Sequence, residues 1–328
     1  MDLIIKNGRP TDLLQKYPEE LFWAEAWLSD KNEFEFQTSG STGPPKTIVF
    51  SRNQIIQSAK RTSIHFGWHA GMNALHALPM SYVAGRMNIL RALICEQSLW
   101  KIEPKVNFTL GDFSEEVEIH WWTLTPAMLD SILSLKGLNL HHATLLIGGG
   151  RLSERLVQLA KEVDFPIWES YGAAETLTHI ALRKLNGLDA QNGFSTVSQV
   201  SLEMNEKGVL IIDELLANQV QSLDKLEMLS NGQFLIVGRT DDLINSGGVK
   251  IYPSQVEAII EKHVEFDSFV KGTTDDVWGE VVTWVVPEHE SIPTDWATWF
   301  DYNPILRPKK IERVKELPKN KNGKWIRK

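Results

Sequence analysis

A single cysteine, Cys95, is all the thiol chemistry this 328-residue chain carries. No disulfide can form within it, and the apolar surroundings of that thiol (LRALICEQSLW) read as a packed side chain rather than a nucleophile or ligand. Also missing is any run of roughly 18 apolar residues, which a membrane-spanning helix needs. The start, MDLIIKNGRP, lacks the long apolar core of a signal peptide. The expectation is a cytoplasmic protein with no stable membrane insertion. Basic charge is not in excess either: 34 Lys and Arg face 42 Asp and Glu, for a net charge of −8. A general affinity for nucleic acid is therefore not expected, and any phosphate must be met by a local site.

Aromatic and apolar residues, by contrast, are plentiful. Hydrophobic residues make up 42% of the chain, enough for a large core and a small one, and the length favours two domains. The 12 tryptophans are scattered and form no repeat, so most read as core or pocket lining. Ser51 is placed to cap a helix running to about Phe66. Beyond it strands and helices alternate: ALHALP, AGRMNILRALICEQ, IHWWTL, a helix opened by Thr125-Pro126, ATLLI, SERLVQLAKEV and FPIWES. That alternation predicts an α/β domain whose sheet is mostly parallel and flanked by helices. From about residue 195 the pattern changes to antiparallel hairpins, VSLEMNEKGVLIID and KLEMLSNGQFLIVG. After the polar GRTDD at 238–242 comes a small α+β unit, with helix PSQVEAIIEKH and strands around Phe269 and Val281. The boundary is placed at about 240, giving domains 1–240 and 241–328.

Residues 36–46, FQTSGSTGPPK, combine small hydroxylated residues, two glycines and Lys46. Such a loop can wrap an anion with N–H and O–H donors. It is not a Walker loop: Gly40 and Gly43 are too close together, and Pro44-Pro45 disfavours the helix a Walker loop must open. Strand, loop, strand is the expected arrangement, and a plain surface hairpin fits the composition equally well. Four further polar clusters sit at element ends. Gly148-Gly149-Gly150 follows a strand, as a tight turn also would; SYGAAET, 170–176, places Tyr171 and Glu175 at a strand's carboxyl end, where a glutamate could carry a metal or cap a helix. GRTDDLINSGG sits at the domain boundary, and LPKNKNGKWIRK ends the chain, where a frayed terminus would also be basic.

Together and in this order, these segments resemble the acyl-adenylate-forming superfamily of acyl-CoA synthetases, luciferases and adenylation domains. That family carries TSGTTGxPK (here TSGSTGPPK), YGxTE (YGAAE), GRxDD followed by SGG, and PKxxxGKxxR (PKNKNGKWIR), so the resemblance covers nearly all of residues 36–328. It implies a large N-terminal ATP- and acyl-binding domain and a small mobile C-terminal one. Thr38, Ser39, Gly40, Ser41, Thr42, Gly43 and Lys46 would close over the phosphates of ATP, with Glu175 associated with Mg2+. Gly149, Tyr171 and Gly172 would border the nucleotide, and Asp224 and Arg239 its ribose. The motif around Asp224 is poorly kept. Lys324 matches the catalytic lysine, Asp241 the hinge, and Gly247 and Gly248 the loop lining the coenzyme A tunnel. The implied reaction joins a small-molecule carboxylate to ATP as acyl-AMP and then to coenzyme A.

Within the superfamily, LPMSYVAGRMNILRAL and ETLTHIALRKL look most like o-succinylbenzoate–CoA ligases of menaquinone biosynthesis. That likeness implies an acyl pocket at Tyr82, Arg91, Gly148 and Ala173, with Arg91 near a second carboxylate; the alternative for Arg91 is a place on an amphipathic helix. Tyr82 replaces a histidine common in relatives. Ala174 stands where the family has threonine, removing a hydroxyl from the α-phosphate, and fewer residues precede the phosphate loop than is usual, so an abridged N-terminal domain is expected. Rival readings are a ligase for another acyl or aryl acid and a non-catalytic adenylate-binding protein; homodimer formation stays open.

Overall fold

The computed structural model describes residues 1–38, 46–319 and 325–327. The alternation read between residues 73 and 172 is borne out. Five parallel strands, in spatial order Ser98–Lys101, Asn73–His76, Trp121–Leu124, Thr144–Ile147 and Ile167–Gly172, form the centre of a nine-stranded sheet. Antiparallel strands flank this centre: His179–Lys184 and Ser195–Thr196 on one side, Asp2–Lys6 and Arg9–Pro10 on the other.

Why the central strands read as continuous apolar runs is plain at Trp121 and Trp122. Successive side chains of a strand point to opposite faces. Trp121 meets Phe66 and Trp68 at 4.7 and 4.5 Å between ring centroids, while Trp122 meets Phe108 and Phe113 at 5.3 and 5.6 Å. Both faces are therefore covered, as parallel sheets require. Leu129 and Ile132 of the helix Pro126–Ser134 and Leu156 and Ala160 of the helix Glu154–Lys161 join the Trp122 side, with Leu145, Ile147 and Ile167. The helix Arg52–Phe66 starts at Ser51, as expected.

The segment 1–30, silent in the sequence, adds the first strands and a helix, Pro18–Leu28. This helix supports the hairpin Glu33–Gln37/Thr47–Ser51: Trp23 lies 6.1 and 5.1 Å from Phe34 and Phe36, and Trp27 lies 5.5 Å from Phe34. Burying each such side chain is worth about 1.5–3 kcal/mol.

The chain divides into two compact units: Met1–Leu152, Leu156–Ser201 and Ile212–Val220 make the first, and Ser153–Arg155, Leu202–Ile211 and Gln221–Lys328 the second. The expected hairpins are present. Val200–Asn205, Gly208–Asp213 and Asn218–Ser222 form a three-stranded sheet, and Asp224–Met228 pairs with Phe234–Arg239. Later residues build a five-stranded sheet in the order Val249–Ile251, Ile244–Ser246, Gly279–Pro287, Phe269–Asp275, with Lys310–Val314 parallel to Gly279–Pro287. Trp284, Val282, Val286 and Phe300 pack there against Val256 and Ile260 of the helix Pro253–Ile260. Among the described residues no helix is long and apolar enough to cross a membrane.

Candidate functional site

Two hydrogen bonds join Thr38 and Lys46, at the two ends of the segment TSGSTGPPK. The Thr38 N–H donates to the Lys46 carbonyl at 2.9 Å, and the Lys46 N–H donates to Thr38 Oγ1 at 2.9 Å. Lys46 is exposed. Ser39, Gly40, Ser41, Thr42 and Gly43 lie outside the described residues, as does Lys324. Arg86 ties this hairpin to the neighbouring loop, donating from Nε to the Met80 carbonyl at 2.7 Å and from Nη1 to the Glu35 carbonyl at 3.2 Å.

Two strand ends meet beside each other in the same unit, because Thr144–Ile147 and Ile167–Gly172 are parallel neighbours. Gly148 donates its N–H to the Leu124 carbonyl at 2.9 Å. Gly149 has φ +85°, a conformation that disfavours side chains, and the space where a Cβ would stand is open. Tyr171 and Gly172 end the second strand, and the Tyr171 ring lies 6.2 Å from that of Phe194.

Ala173 to Thr178 form a strained turn. Thr176, buried, accepts the Ala173 N–H at 2.9 Å and donates to the Thr178 carbonyl at 2.8 Å. Its hydroxyl is consumed by the backbone and does not replace the one that Ala174 lacks. Leu177 has φ +62° and ψ −46°, and the Thr178 N–H donates to the Thr176 carbonyl at 2.7 Å. This is the rare γ-turn, of the kind that strain at functional sites preserves. Glu175 stands exposed on the turn; its carbonyl accepts Asn218 Nδ2 at 2.8 Å, and its carboxylate makes no hydrogen bond to a described residue. No group of three His, Cys, Asp or Glu able to hold a metal exists among the described residues. A Mg2+ arriving with a polyphosphate needs only one or two protein carboxylates, so the donor set at Glu175 fits that ion.

Behind the turn the charges are buried. Tyr82 immediately precedes the helix Val83–Ile94, which holds Arg91 at 4% exposure with no hydrogen bond to its Nε. Burial lowers the Arg91 pKa to about 10, with the Cys95 thiol opposing and Arg61 adding to the shift. His179, also buried, is held well below the ordinary histidine range by burial and by the charges of Arg91 and Arg61; its Nε2 lies 3.4 Å from Thr62 Oγ1. Arg61, unlike Arg91, has a carboxylate: Nη1 donates to Asp213 Oδ1 at 2.9 Å. Ser58 Oγ and Thr178 Oγ1, 2.9 Å apart, fasten the helix Arg52–Phe66 to the turn. Cys95 is partly buried and its thiol pKa is raised, chiefly by burial, in keeping with an inert role.

In the second unit, Asp224 and Arg239 pair across the hairpin, Nη1 to Oδ1 at 3.3 Å. Arg239 also grips Asp241 with a two-pronged bond, 2.9 Å on each side. Burial disfavours this guanidinium's charge, yet Asp241, Asp224 and Asp242 together raise its pKa. Gly247 and Gly248, φ +60° and +85°, turn the strand Ile244–Ser246 back into Val249–Ile251; a Cβ on Gly247 would stand 2.5 Å from the Trp278 ring. Positive φ at both central residues is the geometry of a tight two-residue hairpin.

Sequence reasoning missed His179, the Arg61–Asp213 pair and the ion pair of Glu169 with Arg183. Each partner is set by long-range register or packing, and no local spacing signals it.

The AMP-binding enzyme family model matches residues 36–220, more than half of the chain, and the chain belongs to that family. It is 26% identical to the 2-succinylbenzoate–CoA ligase of Listeria monocytogenes over 94% of this chain and 71% of that one. Among solved structures, the acyl-CoA synthetase (AMP-forming)/AMP-acid ligase II-like protein of Dyadobacter fermentans is 27% identical, with a TM-score of 0.62, covering 94% of this chain and 91% of that one. The o-succinylbenzoate coenzyme A synthetase of Bacillus subtilis, in complex with ATP and magnesium ion, shares the fold at 20% identity, with a TM-score of 0.78 over 89% of this chain and 68% of that one.

Proposed function

We propose that this protein is an AMP-forming acid–thiol ligase that activates o-succinylbenzoate with ATP and passes the acyl group to coenzyme A. In the first step a carboxylate oxygen bonds to the α-phosphorus of ATP and pyrophosphate leaves. In the second the coenzyme A sulfur bonds to the acyl carbon, AMP leaves, and the thiol proton goes to solvent. Thr38, Ser39, Gly40, Ser41, Thr42, Gly43 and Lys46 hold the β- and γ-phosphates. Glu175 would hold Mg2+, which offsets charge on the polyphosphate as pyrophosphate departs. Gly149, Tyr171 and Gly172 border the nucleotide, and Asp224 and Arg239 bind its ribose hydroxyls. Lys324 bridges the two anions, stabilising charge as it moves. Tyr82, Gly148 and Ala173 line the acyl pocket, and Gly247 and Gly248 the thiol's path.

The substrate reading rests on one observation: Arg91 is a buried guanidinium that meets no carboxylate among the described residues. A substrate with a second carboxylate supplies the missing partner. A functional boundary near residue 240, with Asp241 as hinge, belongs to the same proposal. The test is incubation with MgATP, coenzyme A and either o-succinylbenzoate or plain benzoates and fatty acids, with thioester followed by mass. Thioester from o-succinylbenzoate alone supports the reading. Thioester from other acids keeps the ligase and removes the substrate, and neither thioester nor AMP from any acid favours the non-catalytic reading that Ala174 suggests.

A further inference from the structure

We propose that the Glu169–Arg183 ion pair is a positioning device: it clamps the Gly148–Gly150 turn and the Tyr171 ring into the spacing that nucleotide binding needs. The inference rests on the ligase reading above. Glu169 and Arg183 stand directly opposite each other on the antiparallel strands Ile167–Gly172 and His179–Lys184. Arg183 donates from both Nε and Nη2 to Glu169 Oε2, the first at 3.0 Å, and the glutamate side chain is only 7% exposed. The backbone N–H of Leu152, just past the glycine turn, donates to the same carboxylate. Ser170, the next residue, fixes the other end of the turn: its hydroxyl donates to the Ile147 carbonyl at 2.8 Å, and its oxygen would lie 2.6 Å from a Cβ on Gly148. On its other flank the Arg183 guanidinium lies 5.2 Å from the Phe194 ring, which borders Tyr171 at 6.2 Å. One ion pair thus touches the support of the glycine turn and, through Phe194, the support of the tyrosine.

Neither residue reaches into the open space over Gly149, so the pair acts through its neighbours. The charged groups that face the carboxylate are Arg183 from the adjacent strand and Arg151 from the turn itself. Burial raises the Glu169 pKa, and both arginines oppose that rise. Removing Arg183 while keeping Glu169 leaves a buried carboxylate without its fork, which takes up a proton more readily and, when ionised, is driven out of its apolar place toward water.

The experiment uses the full chain as wild type, Arg183→Met, Arg183→Lys and the double variant Glu169→Gln/Arg183→Met, with MgATP binding and steady-state kinetics measured from pH 6 to pH 9. In Arg183→Met the KM for ATP rises about tenfold at pH 8 and returns toward wild type at pH 6, while kcat changes far less. The double variant, which has no ion pair to hold the turn and no guanidinium against Phe194, keeps a KM for ATP raised about tenfold at both pH values. A pH-independent loss in Arg183→Met, or a KM for ATP in the double variant within about threefold of wild type, overturns the proposal, because the turn and the ring then keep their spacing without the pair. If Arg183→Met does not fold, Arg183→Lys decides: a raised KM for ATP at unchanged kcat supports the clamp, and an unchanged KM overturns it. Wild-type protein that binds no MgATP overturns both this inference and the ligase reading; wild-type protein that binds it no better than Arg183→Met overturns the clamp alone.

Discussion

Arg91 has given up water without gaining a carboxylate, and a protein interior charges heavily for that. A buried cation that meets no carboxylate among the described residues lowers stability, and under the proposed function the substrate's second carboxylate would supply the anion. The expected outcome of Arg91→Met is a split. The kcat/KM for o-succinylbenzoate falls by about 100-fold, the loss typical when one member of a buried charge pair is truncated. Turnover of any acid lacking the second carboxylate is unchanged, and the thermal midpoint rises. Kinetics on a pair of acids and a melting curve check this; an equal fall for both acids would remove Arg91 from substrate choice. His179 sharpens the argument, since burial and the two arginines keep it neutral, so it adds no second cation to the pocket.

Elements carry their own test at Ser51, where the chain leaves the hairpin Glu33–Gln37/Thr47–Ser51 and enters the helix Arg52–Phe66. The Gln54 N–H donates to Ser51 Oγ at 3.2 Å, and the Ser51 N–H donates to Gln54 Oε1 at 2.9 Å, a reciprocal cap. Ser51→Ala should cost about 1 kcal/mol, and for a chain of this size that is a fall of about 2–4 °C in Tm by calorimetry. This helix was legible because its cap and its apolar spacing agree. The helix Pro18–Leu28 was not: PEELFWAEAWL is apolar nearly all round, and the structure buries Glu20 while exposing Phe22 and Leu28, the reverse of the usual pattern. Glu20 goes inside because Lys101 meets it at 2.9 Å and His76 at 3.4 Å, partners 81 and 56 residues away in sequence. The strand Asp2–Lys6 was hidden for the same reason, since it pairs with Ser98–Lys101. Strand ends announced Gly148, Tyr171 and Glu175, whereas Glu169 and Arg183 depend on a register that follows the strained turn at Leu177 and a shift between His179 and Ala181.

At the scale of the whole molecule, buried histidines set the acid limit. Burial lowers the pKa of His76 and His179 below the ordinary 6.5. The unfolded chain then binds protons that the folded chain refuses, so stability is full above about pH 6.5 and declines as pH falls below it. Glu20 adds a second step: burial would raise its pKa, but His76 and Lys101 outweigh that and bring it from 4.5 to about 2, so its contribution is lost between those values. Melting temperatures across pH 3–8 should fall in two stages, and His179→Gln should flatten the first; a single stage below pH 4.5 would assign acid lability to carboxylates alone. The proposed two-step reaction makes the larger demand, because in it one lysine, Lys324, would serve adenylation and then withdraw. Asp241, the proposed hinge, is gripped by Arg239, which also meets Asp224, so the proposed hinge is tied to the proposed ribose contacts. If Arg239 meets the ribose as proposed, ligand contact there would change the bonds on the hinge and couple occupancy to rotation. Asp241→Pro, with φ restricted, should keep one half-reaction and slow the other by about 100-fold or more. Lys324→Ala should lose adenylation, read as pyrophosphate exchange, while still converting supplied acyl-AMP to thioester. Equal loss of both half-reactions in either variant would mean that one arrangement of the chain carries both steps.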